Sequence, residues 1–209
     1  MELLPYSCLV KTGPLDHADW NYHPLLKYIS RRRFSLAASF LPEKPVRRLL
    51  EIGYGSGIFL PFLSKHAELL YGVDIHPYNT KIEEILRQRQ TIAHLYADNA
   101  AKLPFDDHFF DIIVAISTIE FIVNRPAAVL ELTRVLSPQG KLVCVMPASS
   151  PLLDLALRAM TGQSATKDFG DGREKVLPAL LQCFSVASTH HFPCSVFPIY
   201  SAYELTPLP

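Results

Sequence analysis

The chain has 209 residues, with 20 lysines and arginines balanced by 20 aspartates and glutamates, and 49% of its residues are hydrophobic. This length suits a single domain with a large core that needs no disulfide framework. The zero net charge argues against a broad nucleic-acid footprint. The longest apolar runs, such as the one at 112–116, are too short to cross a bilayer, so we expect no membrane span.

The cysteines show no CxxC spacing, and Cys144 lies in an apolar run that predicts a buried free thiol. This usage is typical of a reducing compartment. The first residues lack the basic start and long apolar stretch of a signal peptide. We therefore predict a cytoplasmic protein.

Residues 1–45 are predicted to form an amino-terminal helical extension that packs on the core or covers it as a lid. Pro24 suits the first turn of its helix, and Pro42 ends that helix. One helical face carries apolar side chains at Leu25, Ile29, Leu36 and Phe40.

Strands and helices alternate from residue 46 onwards, and this predicts one domain over 46–209. A capping box at Thr80 and Glu83 is expected to begin the second of its helices. The alternation predicts an α/β fold with a doubly wound, mostly parallel sheet of seven strands. The predicted strands are 46–52, 69–74, 93–97, 110–117, 141–147, 185–192 and 196–205, and the predicted helices are 58–65, 80–90, 126–136, 151–160 and 173–182.

A glycine-rich turn directly follows the first strand, where Glu51 precedes Gly53, Gly55 and Gly57. Ligands of doubly wound sheets bind at the carboxyl ends of the strands. A dinucleotide-binding turn has its third glycine at the sixth position, which is Ile58 here. An ordinary tight turn without a ligand is the remaining alternative. Three glycines within five residues after a strand disfavour it.

The order E-x-G-x-G-x-G resembles the first motif of class I S-adenosylmethionine-dependent methyltransferases. The second strand ends at Asp74, 21 residues after Gly53. In that family an acidic residue at this place holds the cofactor ribose, and the position of Ile75 packs on the adenine. Asp98, in a segment similar to D-A-x-x-L-P-F, matches the residue that meets the adenine amino group.

Further matches extend the resemblance over residues 48–147. Phe110–Ile113 resembles the fourth motif, and Arg134–Gly140 resembles the R-V-L-x-P-G-G turn. The resemblance implies S-adenosylmethionine as cofactor and a Rossmann-like methyltransferase fold. It implies cofactor contacts at Glu51, Gly53, Gly55, Gly57, Asp74, Ile75, Asp98, Asn99 and Ser117.

Two positions depart from the family pattern. Glu120 is followed by Phe121 where the family often has histidine, so an acid–base role of that histidine is absent. Gln139 replaces the first glycine of the usual pair, which indicates a changed turn. Glu120 is the candidate for a carboxylate on the side of the methyl acceptor. The alternative is that it caps a turn or pairs with an amino-terminal arginine.

The amino-terminal extension supplies further candidates. Helical phase places Arg32 and Arg33 beside the apolar stripe, so one of them is expected to reach the cofactor carboxylate or an anionic acceptor. The aromatic cluster of the extension forms either a lid over the methyl group or a strap that closes the core. Adjacent residues of a strand face opposite ways, so His190 and His191 predict no metal site. The aromatic cluster comprises His17, Trp20, Tyr22 and His23.

The resulting hypothesis is a methyltransferase that acts on a small-molecule or lipid-like metabolite by in-line transfer. A nucleic-acid methyltransferase is disfavoured, because only the 31–48 region is basic and Ser117–Glu120 does not match the N-P-P-Y-type signature. An RNA enzyme of this kind remains an alternative. The other is a cofactor-binding scaffold without catalysis, since methyltransferase folds are reused.

Overall fold

The computed structural model describes residues 1–14, 16–149 and 172–209. The helix expected at 151–160 lies outside these residues, as does the loop expected at 161–172 except for Gly172, where the next helix begins. The structure therefore tests neither of these two expectations.

Seven strands form one sheet in the order β3-β2-β1-β4-β5-β7-β6. β1 to β5 are parallel to one another, whereas β7 is antiparallel to both β5 and β6. The predicted doubly wound, mostly parallel sheet is thus confirmed. The strands are β1 (Val46–Ile52), β2 (Ala67–Asp74), β3 (His94–Ala97), β4 (Phe110–Ile116), β5 (Leu136–Pro147), β6 (Phe184–Phe192) and β7 (Tyr200–Pro207).

The central strand β4 is apolar along nearly its whole length because both faces of the sheet are covered. Its alternate residues enter two separate cores, as the two-residue period of a strand requires. Ile112 and Val114 belong to the core beneath the amino-terminal extension. Ile113 and Ala115 belong to the core on the opposite face. Cys144 is a buried free thiol, as predicted.

Short helices connect the strands and begin within a few residues of the predicted positions. No helix among the described residues is long and apolar enough to cross a membrane. The α-helices are α1 (Lys27–Ser30), α2 (Arg32–Ala38), α3 (Leu60–Leu63), α4 (Asn79–Gln88), α5 (Arg125–Val135) and α6 (Gly172–Leu180).

The amino-terminal extension differs from its prediction in one respect. Its buried face carries Ser30, Phe34 and Ala37, whereas Leu25 is exposed. The predicted apolar stripe assumes one continuous helix. The chain instead forms two short helices, α1 and α2, with Arg31 between them. The predicted stripe is wrong at Leu25, which precedes α1, whereas Phe40 is buried in the core and Leu36 packs against it.

The predicted capping box of α4 is also wrong. No side chain caps this helix, which begins at Asn79. The Glu83 carboxylate instead accepts a hydrogen bond from the Leu95 amide at 2.6 Å. Glu83 therefore ties α4 to β3, and the local sequence pattern gave no sign of this long-range partner.

Candidate functional site

The turn between β1 and α3 holds three glycines in the left-handed region, with φ of 72° at Gly53, 51° at Gly55 and 73° at Gly57. A methyl group added at Gly53 would lie 2.2 Å from the Thr118 side chain, and one at Gly57 would lie 2.8 Å from Ile82. Both glycines are therefore required for packing as well as for backbone geometry.

Gly55 differs from the other two glycines. Nothing lies within 4 Å of the place where its Cβ would be. Gly55 lines the large cavity beside the turn, so this open space belongs to the cavity. A ligand can approach the backbone closely at Gly55, and a side chain there would occupy its space.

Two side chains from the end of β2 hold the glycine turn. Asp74 accepts hydrogen bonds from the Gly55 amide at 2.8 Å and from the Ile75 amide at 2.7 Å. His76 Nε2 lies 2.8 Å from the Gly55 carbonyl oxygen, and His76 Nδ1 accepts from the Tyr78 amide. Since a carbonyl oxygen only accepts, His76 Nε2 carries the proton. The carboxylate keeps lone pairs for a ligand, because two oxygens offer about four acceptor sites.

A cavity of about 600 Å³ opens at the carboxyl ends of β1, β2, β3 and β4. This is the point at which the strand order reverses from β2-β1 to β4, the usual ligand site of doubly wound sheets. The cavity wall includes every residue predicted for the cofactor except Gly57, which lies behind it. The predicted residues on the wall are Glu51, Gly53, Gly55, Asp74, Ile75, Asp98, Asn99 and Ser117.

The side chains at the end of β3 are placed differently from Asp74. Asp98 accepts from the Asn99 amide at 2.7 Å, and Asn99 accepts from the Ala101 amide at 2.9 Å. These turns fix both side chains at the cavity wall. Ile75 is 80% exposed, so its apolar side chain lies open to a ligand.

Buried polar atoms without hydrogen-bond partners lie at the other end of the cavity. They include Glu51 Oε2 and Ser117 Oγ. Burial first, and then the charge of Asp74, raises the pKa of Glu51 to about 8, which the Arg33 charge partly offsets. An ammonium group would satisfy the Glu51 oxygen, and a carboxylate would accept from the Ser117 hydroxyl. These polar atoms thus fit the amino-acid end of S-adenosylmethionine.

The sequence of this region matches a known domain. Residues 50–144 match the family described as "Methyltransferase domain". The chain is 27% identical over 117 residues to tocopherol O-methyltransferase of Arabidopsis thaliana, covering 54% of this chain and 34% of the relative. It is 28% identical over 129 residues to a ubiquinone/menaquinone biosynthesis C-methyltransferase of Vibrio campbellii, covering 59% and 49%.

The chain is thus similar to methyltransferases over residues 50–144, slightly under half of its length. Its fold agrees with the crystal structure of the N-methyltransferase NodS from Bradyrhizobium japonicum in complex with S-adenosylhomocysteine. The TM-score is 0.67 at 18% identity, with 95% of both chains covered. The chain spans about a third to a half of the length of the curated relatives that it matches.

The candidate for an acceptor-side carboxylate, Glu120, is 3% exposed and is not part of the cavity wall. Neither of its carboxylate oxygens has a hydrogen-bond partner among the described residues. Burial raises the pKa of Glu120 to about 7, and the charges of Arg33, Arg125 and Arg173 oppose this rise. The alternative reading, an interaction with an amino-terminal arginine, therefore has electrostatic support from Arg33.

Arg33 is the member of the basic run that lies on the cavity wall, and a contact of Arg33 with the cofactor carboxylate or an anionic acceptor stays a prediction. Arg32 lines a different cavity, on the other side of α2. Arg31 turns back to the extension, where its Nε donates to the Asn21 carbonyl oxygen at 2.8 Å. Three consecutive arginines thus face three different surroundings.

The aromatic cluster of the extension divides between the two predicted roles. His17 lies on the cavity wall and stacks on Trp20, with ring centroids 4.4 Å apart. Tyr22 donates a hydrogen bond to the Leu4 carbonyl oxygen, and His23 Nδ1 accepts from the Leu25 and Leu26 amides. Tyr22 therefore serves as a strap, His23 stabilises only its own exposed turn, and His17 lies on the wall where a ligand would bind.

Sequence reasoning missed several parts of the wall. His76 and Tyr54 support the turn from one side, while residues 12–14 and 16–18 border the cavity from the extension. The segment after β4 adds an apolar lip in which Val123 is 98% exposed. Within residues 1–14, 16–149 and 172–209, no three potential ligands cluster as a metal site would require.

Proposed function

We propose that this protein is an S-adenosylmethionine-dependent methyltransferase whose acceptor is a small-molecule or lipid-like metabolite. The observation that carries the proposal is the combination of an open space at Gly55 with the Asp74 carboxylate that fixes the turn around it. A tight turn that served folding alone would not need open space at Gly55.

The cofactor contacts follow from the chemistry of the wall. Asp74 accepts from the ribose hydroxyls, Ile75 packs on the adenine, and Asp98 accepts from the adenine amino group. Asn99 lines the adenine end, while Glu51 and Ser117 bind the amino-acid end. A buried carboxylate with a pKa near 8 gains a compensating charge when an ammonium group binds beside it.

The proposed chemistry requires little covalent participation by the protein. The cofactor, when bound, supplies a methyl group activated by a sulfonium. The chain aligns the acceptor and excludes water, so proximity accounts for much of the rate. A general base is needed only for an acceptor that must lose a proton.

The mouth of the cavity supports a small or lipid-like acceptor. Ile122 and Val123 form an apolar lip, and Phe34 and Ile116 continue this apolar surface inwards. Arg33 is the only lysine or arginine among the described residues of the wall, which also carries four carboxylates. This charge balance disfavours RNA, which needs a basic binding surface. The four acidic residues are Asp16, Glu51, Asp74 and Asp98.

The names of the relatives point in the same direction. They include a tocopherol O-methyltransferase, a ubiquinone/menaquinone C-methyltransferase and a sterol 4-C-methyltransferase. Their acceptors combine an apolar body with a ring or chain that carries few charges. We propose an acceptor of this general kind, and a cytoplasmic location remains a prediction from cysteine usage.

We also propose that Glu120 is a positioning residue that acts through Arg33. The two side chains interact electrostatically, and Arg33 is the one at the cavity wall. Glu120→Gln would remove the negative charge that favours one placement of Arg33. We expect it to raise the KM for an anionic or polar acceptor severalfold with a smaller change in kcat. Glu120→Asp should restore part of the affinity, whereas a purely structural role predicts equal losses in both variants.

An acceptor screen monitored by release of S-adenosylhomocysteine tests the main proposal. Quinols, sterols, phenols, short acyl acids and an RNA pool form the panel. Turnover of an apolar small molecule is the expected result. Turnover of RNA alone would replace the proposed acceptor class. Tight cofactor binding without turnover of any acceptor would favour the catalytically silent scaffold.

A further inference from the structure

A second cavity of about 430 Å³ lies between α2 and β6, separate from the methyltransferase cavity. The two cavities share no wall residue among the described part of the chain. Arg32 faces the second cavity and Arg33 faces the first, so neighbouring positions of one helix serve both. The fold of the cofactor site does not require this second cavity.

The polar groups of the second cavity have one charge preference. Its described wall includes Arg32, Ser35, Ser39, His190 and Ser195, and the His190 side chain faces α2 because it contacts Ser39 and Phe40. The wall contains no aspartate or glutamate among the described residues. A guanidinium beside hydroxyl groups is a donor set that binds oxyanions.

Arg32 is available for such a ligand. It forms no ion pair with any carboxylate of the described residues. Its guanidinium carbon lies 5.2 Å from the centroid of the Phe192 ring. This contact orients the group and consumes none of its N–H donors, which can form a paired hydrogen bond with a phosphate.

The histidines are held in place before any ligand arrives. His190 stacks on Phe40 with ring centroids 4.6 Å apart, and its Nδ1 lies 2.8 Å from Ser39 Oγ. His191 Nδ1 lies 2.9 Å from Ser201 Oγ. Preorganised polar groups lose little entropy on binding, which is a feature of a built site.

We propose that this cavity binds the phosphate group of a small phosphorylated molecule. Arg32 forms the principal charge contact, and the Ser195 hydroxyl on the same wall supplements it. Leu36 and Phe192 provide an apolar surface beside the phosphate position for the remainder of the molecule. The site is independent of the methyltransferase cavity, so its ligand is neither the cofactor nor the methyl acceptor.

Phenyl phosphate is the probe that matches both the charged and the apolar parts of the wall. Calorimetry and ³¹P NMR on the whole protein should give a Kd of about 1 mM or below at low salt. Inorganic phosphate should bind more weakly, and phenol should not bind measurably. Arg32→Gln should weaken phenyl phosphate binding by about fivefold or more. Arg87→Gln is the matched control, because it removes an exposed charge on α4 away from either cavity.

The affinity for phenyl phosphate should be the same with and without saturating S-adenosylmethionine, and it should persist in a variant that no longer binds the cofactor. Equal affinities in Arg32→Gln and Arg87→Gln would overturn the proposal, as would competition with the cofactor. A sedimentation arm compares vesicles of phosphatidylcholine with and without phosphatidic acid. Binding to phosphatidic acid vesicles without binding to phenyl phosphate would also overturn the proposal, by identifying a lipid headgroup as the ligand.

Discussion

The two ends of the methyltransferase cavity are built differently. At the end formed by β1, β2 and β3, backbone amides and glycines determine the shape of the wall. Backbone amides hold the two carboxylates there: Asp74 accepts from Gly55 and from Ile75, and Asp98 accepts from Asn99. At the end near β4, long side chains from distant segments converge. Arg33 of the extension lies on the cavity wall there, and the charges of Arg33 and of Arg173, in α6, act on Glu120, which follows β4 and lies off the wall.

The first end is suited to binding a cofactor, and the second end is suited to binding a methyl acceptor. A backbone cradle accommodates one cofactor whose shape does not change, and its glycine spacing can be recognised in the sequence. Side chains on separate elements can change individually, which suits a site whose acceptor differs between proteins. The comparison predicts that substitutions at the first end affect cofactor affinity, whereas those at the second affect the acceptor.

The largest expected effects are at the glycines, and they differ within one turn. Gly53→Ala should lower the free energy of unfolding by about 3 kcal/mol, because strain at positive φ is added to a clash with Thr118. Gly55→Ala should cost only about 1 kcal/mol of stability but weaken cofactor binding about a hundredfold, because its methyl group fills the cradle. Urea unfolding and calorimetry measure the two effects.

The contrast between Gly53 and Gly55 also supplies its own control. If Gly55→Ala bound S-adenosylmethionine with unchanged affinity, the ligand would not approach the backbone there. Gly53→Ala combined with Thr118→Ala should recover part of the lost stability, since the Thr118 side chain is the group in contact. Recovery would attribute the loss to packing as well as to strain.

Asp74 should have the next largest effect. Asp74→Asn keeps the shape of the side chain and removes its charge, so it should weaken S-adenosylmethionine binding about ten- to a hundredfold. Asp74→Ala should weaken it at least as much, because the amides of Gly55 and Ile75 also lose their acceptor. Calorimetry gives both affinities, and unchanged values would remove Asp74 from the cofactor site.

The ease of prediction follows the same division. The sheet and the cofactor end were recognisable because buried strands, glycines at fixed spacing and acidic strand ends are local patterns. The sequence predicts only that either Arg32 or Arg33 faces the cavity, because the orientation of each depends on the break between α1 and α2. His76 carried no signal, since its role arises from a carbonyl 21 positions earlier in the chain. The predicted apolar face of the extension is wrong at Leu25, because this residue precedes α1 and is exposed.

Glu51 should make stability depend on pH in a predictable direction. Its pKa is raised to about 8 in the folded protein from 4.5, chiefly by burial. Between these values the folded state holds a proton that the unfolded state has released, so stability falls as pH rises. Glu51→Gln lacks this dependence. Its stability relative to the unsubstituted protein should therefore rise by about 1–3 kcal/mol between pH 5 and pH 9.

Urea titrations of both proteins at several pH values without cofactor would measure this difference. Glu120 has a raised pKa of its own, but it is present in both proteins and largely cancels. A difference that stays constant with pH would mean that Glu51 is ionised in the folded state. The interpretation of its orphaned oxygen as a place for an ammonium group would then lose its electrostatic support.

The smallest expected effect is at Ile75, and it tests whether the adenine end depends on side chains at all. Ile75 is 80% exposed at the cavity wall, so Ile75→Ala should leave stability nearly unchanged. It should weaken cofactor binding about three- to fivefold, as expected for the loss of a partial apolar contact. Ile92 is 75% exposed outside the cavity and provides the matched Ile92→Ala control. An equal affinity in both variants would mean that backbone and carboxylates alone define this end, which would widen its contrast with the side-chain cluster around Arg33.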